Sequence, residues 1–166
     1  MRNSLTLIPA ALLLAFPLAA QMDCQQPDHH HSGVMRRGAM GMGFDQQKTT
    51  HHFILLESGG RIEVTAKDAA DREDTTAIRQ HLKHITDAFA AGDFALPMFI
   101  HDRVPPGVET MKRLRHAIAY RYEEVPRGAR VVITSSDAAA IDAVHSFLRF
   151  QIKDHETGDP LTVQHE

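Results

Sequence analysis

Two segments of the chain repeat each other, and this duplication limits the available folds more than any other feature. The run "GGRIEVTAKD" (59–68) aligns with "GARVVITSSD" (128–137). An apolar-rich run precedes each segment, and a helical pattern of apolar residues follows each one. The sequence therefore contains two copies of a ββα unit, at about 51–93 and 118–159.

Each unit begins with a predicted hairpin. The turn residues are Ser58-Gly59-Gly60 in the first unit and Pro126-Arg127-Gly128 in the second. The apolar spacing after the hairpins predicts helices over 71–91 and 138–155. The predicted strands are 51–57, 61–67, 118–124 and 130–135.

A lone ββα unit cannot cover its own apolar faces, whereas two units can share one core. We therefore predict a single α+β domain over 45–166, in which the duplicated ββα unit gives a four-stranded antiparallel sheet. The two main helices are expected on one face of this sheet. The connection over 94–117 is expected to contain a short strand at 98–101 and a short helix at 108–115.

The first 20 residues have the layout of a secretory signal peptide. Arg2 precedes an uncharged apolar run that ends in Ala19 and Ala20. This run is too short, and too interrupted by proline, to predict a membrane span. Cys24 is the only cysteine, so no internal disulfide is expected. We expect a soluble exported protein, periplasmic or extracellular.

Residues 21–44 have no helical or strand period and are rich in Gly, Gln, Met and His, which predicts a flexible tail. Thioethers suit Cu(I), and imidazoles suit Cu(II) and Zn(II), so the tail is a candidate metal site. A merely solvated linker is the alternative interpretation. The candidate ligands of the tail are His29, His30, His31, Met40 and Met42.

The charge balance argues against nucleic acid as a partner. Removal of Arg2 with the signal peptide reduces the 18 Lys and Arg to 17, against 21 Asp and Glu, a balance of −4. A protein that binds phosphate backbones or anionic lipid usually carries a net positive charge. The twelve histidines are the unusual feature, because histidine is the commonest metal ligand.

Only one histidine of the pair in "TTHHFILL" (49–56) can face the core, because strand residues alternate between the two faces. The duplication matches His51 with Tyr120, whose neighbours define the buried face of the second hairpin. We therefore expect His51 to face the helices and His52 to face away. A hydrogen-bonded histidine at the core margin is the alternative to a ligand role.

The first predicted helix carries His81 and His84, which are three residues apart and therefore neighbours on its surface. Their counterparts in the second helix are Phe147 and Phe150, which indicates that this face packs against another group. A solvated pair of histidines is the alternative interpretation of His81 and His84.

His101 follows the predicted short strand and precedes Asp102, a candidate carboxylate partner for its ring. Three or four neutral imidazoles satisfy Zn(II) or Cu(II), and a methionine can add a soft ligand. The candidate metal ligands of the folded domain are His51, His81, His84, His101 and Met98.

The sequence lacks the nucleophile-elbow, zinc-protease, phosphate-loop and dinucleotide-loop motifs. The first hypothesis is an exported metal-binding buffer, carrier or sensor, with copper favoured over zinc. The second is a metal-independent interaction module, such as a homodimer formed through the face of Phe147 and Phe150. The third is a small metalloenzyme in which His51 or His101 holds a metal with an open position.

Four segments carry a resemblance: "GFDQQKTTHHFILLESGGRIEVTAKD", "IRQHLKHITDAFAAGDFALPMFIHD", "PPG" and "FLRFQIKDHETGDP". Together they resemble a group of short exported bacterial proteins of unestablished function, over about residues 40–160. Some members are labelled aspartate carbamoyltransferase. That enzyme needs a Ser-x-Arg-Thr loop, which this sequence lacks. The resemblance therefore implies export and the same organisation, and it implies no reaction.

Overall fold

A computed structural model describes residues 27–165, with side chains from residue 32 onward. The predicted signal peptide lies outside the described residues. Short 3-10 turns at Gln46–Lys48 and Arg115–Ala117 lead into the two hairpins. In chain order, the helices and strands of the described part are α1 (Pro27–Met42), β1 (Thr49–Leu56), β2 (Gly59–Ala66), α2 (Arg72–Ala91), α3 (Ala95–His101), α4 (Val108–Arg113), β3 (Ile118–Val125), β4 (Gly128–Ser135) and α5 (Ala138–Asp154).

The four strands form one antiparallel sheet in the order β1-β2-β4-β3. The two repeats meet at its centre, where β2 pairs with β4 and Arg61 lies opposite Val132. Its repeat counterpart, Arg130, lies opposite Glu63, as an internal two-fold relation requires. The predicted α+β fold, built from a duplicated ββα unit, is confirmed.

Both main helices cover the same face of the sheet, but each covers mainly the hairpin of the other repeat. Helix α2 packs chiefly on β3 and β4, and α5 packs on β1 and β2. This exchange places the apolar stripes of both helices over one shared core. Its fully buried members include Leu55, Val64, Ile78, Leu82, Ile133, Phe147 and Leu148.

The ends of the main helices follow from capping residues that the repeats share. The side chain of Asp71 accepts from the backbone N–H of Asp74 at 2.9 Å, at the start of α2. The side chain of Asp137 accepts from that of Ala140 at 3.0 Å, at the start of α5. Such caps satisfy N–H groups that the first helical turn leaves free. Gly92 ends α2 with φ +80°, which glycine adopts without strain.

The connection between the repeats is helical where the sequence predicted a short strand at 98–101. Helix α3 begins after Asp93, whose side chain accepts from the N–H of Ala95 at 2.8 Å. Pro97 is tolerated in the first turn because its missing N–H would have had no helical partner there. The alternating residues at 98–101 suggested a strand. In the helix that forms instead, the adjacent Ile100 and His101 are both buried.

Residues 27–42 form helix α1, which corrects the expectation that residues 21–44 are a flexible tail. Val34 and Met42 in this helix are buried. The guanidinium Nε of Arg37 donates to the carbonyl of Ile100 at 2.7 Å. The glycines that argued against a helix allow α1 to pack closely on α3. A Cβ on Gly41, for example, would lie only 2.7 Å from the side chain of Leu96.

No helix within residues 27–165 is long and apolar enough to cross a membrane.

Candidate functional site

A small cavity lies between the sheet and the helices that cover it. Its volume is about 60 Å³. Aliphatic and aromatic side chains supply most of its wall, including Val64, Leu82 and Phe89. Four histidines from β1, α2, the end of α3 and the residue after α5 also line it: His51, His81, His101 and His155.

His51 reaches this cavity because the alternation of β1 points it toward the helices. Its ring stacks on that of His155, with centroids 6.0 Å apart. Its Nε2 is buried without a hydrogen-bond partner among the described residues. His52 points to the other face, where its Nδ1 donates to Asp159 at 2.8 Å. The prediction that His51 faces the helices and His52 faces away is confirmed.

Burial changes the titration of two of these histidines. Removal from water lowers the pKa of His51 from 6.5 to about 4, with smaller contributions from the charges of His52 and Lys67. Removal from water likewise lowers the pKa of His81 to about 4, and the charges of His51 and His84 add to it. Both rings are therefore neutral at pH 7, the form in which imidazole binds a metal ion.

His101 lies at the same cavity, but both of its ring nitrogens are engaged. Nδ1 lies 2.5 Å from a carboxylate oxygen of Asp154, and Nε2 lies 2.9 Å from Oε1 of Gln151. The carboxylate partner is therefore Asp154, and the exposed Asp102 is not that partner. The amide nitrogen of Gln151 has no hydrogen-bond partner in the described part of the chain. Rotating that amide would let it donate to a neutral His101.

His155, the residue after α5, contacts two other histidines of this cavity, His51 and His101. It contacts His101 edge-on at 5.0 Å between ring centroids, and Phe53 at 5.5 Å. The duplication contained a signal for this position, because His155 occupies the place of the buried Phe89 in the apolar stripe of the first helix.

The structure brings together part of the predicted ligand set. His51, His81 and His101 line the cavity together with Met42, which had been assigned to the tail. His84 is exposed, Met98 lies outside the cavity, and Met40 is 71% exposed. The side chains of His29, His30 and His31 lie outside the described part of the structure.

No group of three or more His, Cys, Asp or Glu side chains within the described residues is arranged to hold a metal ion. Consequently, the predicted set of His51, His81, His84 and His101 does not form a ready coordination sphere. His101 is held by hydrogen bonds, and His84 points into solvent. Of the predicted ligands, the neutral His51 and His81 and the thioether of Met42 still line the cavity.

The rings of Phe147 and Phe150 pack within the chain. Phe147 is buried against Phe89 and Phe94, with ring centroids 5.8 and 6.0 Å away. Phe150 contacts His101 at 4.9 Å. Of the two rings on the face that the sequence offered to a dimer partner, that of Phe147 is therefore buried within the chain.

Comparisons with family models, with curated proteins and with solved structures found no match for this chain.

Proposed function

We propose that the protein is an exported copper(I)-binding buffer, carrier or sensor, and that His51, His81 and Met42 hold the ion. The observation that carries this proposal is the buried Nε2 of His51, which has no hydrogen-bond partner among residues 27–165 and belongs to a ring that lines the cavity. An orphaned buried polar atom costs about 1–3 kcal/mol of stability. Polar atoms in protein interiors are nearly always paired, so a retained orphan suggests a functional role.

The chemistry of His51 fits a ligand role. With its proton on Nδ1, a neutral imidazole presents a lone pair on Nε2. His81 lies close enough for the charge on His51 to lower its pKa. Phe44 packs against both rings, at 5.9 Å from His51 and 5.5 Å from His81. Two neutral imidazoles thus line the same, mainly apolar cavity and contact the same phenyl ring.

The size of the cavity favours an ion over an organic cofactor. A water molecule needs roughly 10–15 Å³, whereas a cavity of about 150 Å³ holds benzene. The volume here is about 60 Å³, between these values. A porphyrin or flavin would need the core to open, but a metal ion would not.

The donors favour a monovalent soft ion. His51, His81 and Met42 are all uncharged at pH 7, and the surrounding wall is mainly apolar. An uncompensated charge in such surroundings is costly, and the cost rises steeply from a monocation to a dication. Structural zinc sites use four strong ligands, which this cavity does not offer. Thioether and imidazole together suit Cu(I).

The low pKa values also change the pH range in which binding is expected. A histidine with the ordinary pKa of 6.5 would lose a bound metal ion to protons as the pH falls through that value. In the folded protein, protons compete for His51 and His81 only near pH 4. The site should therefore bind Cu(I) at pH 5 nearly as well as at pH 7.

The test is a competition titration of the exported protein with Cu(I), under anaerobic reducing conditions, against a coloured Cu(I) chelator. His29, His30 and His31 are first replaced by alanine, so that they contribute nothing. In that background, His51→Leu and Met42→Leu should each weaken binding about tenfold or more, which is about 1.4 kcal/mol. His84→Leu, an exposed histidine three residues from His81, is the matched control and should change nothing.

Unchanged affinity in His51→Leu would refute the proposed site. If the protein in which only His29, His30 and His31 are replaced by alanine binds no Cu(I) at all, the metal-independent interaction role becomes the better proposal.

A further inference from the structure

A second and larger cavity lies on the sheet face opposite the helices. The segment 156–165 crosses the edge of β1 and forms one wall of it. Asp159 holds this segment by accepting from His52 Nδ1 at 2.8 Å and from the N–H of Phe53 at 2.9 Å. The N–H of Gln164 donates to the carbonyl of Leu55 at 2.8 Å. The cavity is open to solvent on one side, and its volume is about 560 Å³, within the usual range for small-molecule sites.

The floor of this cavity is a row of cross-strand neighbours that contains two guanidinium groups. Arg130, Glu123 and Asp159 also line the cavity. The row runs from β1 to β3 across the sheet and consists of Ile54, Arg61, Val132 and Arg121. Arg61 and Arg121 therefore lie on either side of Val132, two strands apart or roughly 10 Å. The aliphatic side chains of Ile54 and Val132 provide an apolar surface beside them.

The two carboxylates at this cavity, Glu123 and Asp159, already have partners within the chain. Glu123 is shared, because it pairs with Arg121 and also accepts from Arg130 Nε at 2.5 Å. Arg61 has only a distant ion pair, with its Nε 3.6 Å from Glu63. That Nε is buried and has no hydrogen-bond partner within the described residues. A charged donor at the floor of the cavity thus lies beyond hydrogen-bond distance of its partner Glu63.

We propose that this cavity binds a small organic carboxylate through Arg61 and Arg121. A guanidinium matches the planar, two-oxygen geometry of a carboxylate and can form two parallel hydrogen bonds with it. The carbon skeleton of the ligand lies on Ile54 and Val132, and the segment 156–165 encloses it. The binding needs no metal and is independent of the histidine cavity on the other face.

The test follows binding by NMR, using the full exported protein and sodium hexanoate as the probe. Hexanoate combines a carboxylate with an apolar chain, and acetate carries the same group without the chain. The backbone N–H resonances of Ile54 and Val132, which every variant retains, should shift on titration with hexanoate, as should the Nε–H resonance of Arg61 where arginine is present. Acetate and inorganic phosphate should bind about tenfold more weakly at matched ionic strength. Arg61→Met and Arg121→Met should each weaken hexanoate binding about tenfold.

Arg72→Met is the matched control, because this exposed arginine begins α2 on the opposite face and should leave binding unchanged. Retained dispersion of the backbone spectrum shows that each variant is folded. The proposal is overturned if hexanoate produces no saturable shift up to about 10 mM, an affinity of roughly 3 kcal/mol. It is also overturned if Arg61→Met and Arg121→Met both bind as tightly as Arg72→Met, or if phosphate binds as tightly as hexanoate.

Discussion

Replacing His51 by leucine should make the stability of the domain less dependent on pH. The folded protein keeps the pKa of His51 at about 4, mainly through burial, whereas the unfolded chain has the ordinary value of 6.5. Between these two values the unfolded chain takes up a proton that the folded chain does not. The free energy of unfolding therefore falls as the pH decreases from 6.5 toward 4.

The size of this effect follows from the difference in pKa. Each pKa unit corresponds to about 1.36 kcal/mol, and pH 5 lies 1.5 units below the unfolded value of 6.5. His51 alone should therefore cost the wild-type protein about 2 kcal/mol between pH 7 and pH 5. Leucine removes that loss. At pH 7 it also removes the orphaned Nε2, a gain of about 1–3 kcal/mol that imperfect packing reduces.

Urea denaturation at pH 7 and pH 5 measures both quantities, with His84→Leu as the exposed-histidine control. The drop in unfolding free energy between the two pH values should be about 2 kcal/mol smaller in His51→Leu than in the other two proteins. An equal drop in all three would refute the reasoning. So would a His51→Leu protein that is several kcal/mol less stable at pH 7, because the imidazole would then make a stabilising contact.

Three further substitutions or deletions test the packing. A chain that begins at residue 45 should melt at a lower temperature in calorimetry, because it loses the buried Val34, Met42 and Phe44. Each of these side chains is worth about 1.5–3 kcal/mol at full burial. An unchanged melting temperature would instead support the flexible tail predicted from the sequence. Asp154→Ala should lower the unfolding free energy in urea by about 1–3 kcal/mol, because it leaves Nδ1 of the buried His101 unpaired; no change would mean that the pair is unimportant. Gly107→Ala should destabilise more than Gly158→Ala in thermal melts. Both glycines have positive φ, but only at Gly107 would the new Cβ lie 2.1 Å from a carbonyl oxygen, that of Ala143. Equal effects of the two substitutions would show that α5 can move away from the new Cβ without loss of stability.

The fold was predictable because the sequence contains two copies of the same ββα unit, so that each copy supports the interpretation of the other. The alternation around Tyr120 defined the buried face of β3, and the duplication transferred that face to His51. Helix α1 was not predictable, because its glycines lower helix propensity and its stability depends on packing against a distant segment. Local pattern carries no information about such contacts.

The candidate site was predictable only in part. Helical periodicity and the repeat selected His51 and His81, which do share a cavity. The same reasoning included His101, whose nitrogens are held by Gln151 and Asp154 about 50 residues away. It missed His155, which the repeat placed in an apolar stripe. Which nitrogens remain available depends on side-chain geometry that spacing alone does not determine.

The most direct test of the central proposal is X-ray absorption at the copper edge, recorded on the Cu(I)-loaded protein at pH 7 and pH 5. His29, His30 and His31 are replaced by alanine beforehand, so that the signal reports the folded domain. The proposed site should give one sulfur and two imidazole ligands at both pH values, and one imidazole should be lost in His51→Leu. A spectrum without sulfur, or one that His51→Leu leaves unchanged, would contradict a copper site at His51, His81 and Met42.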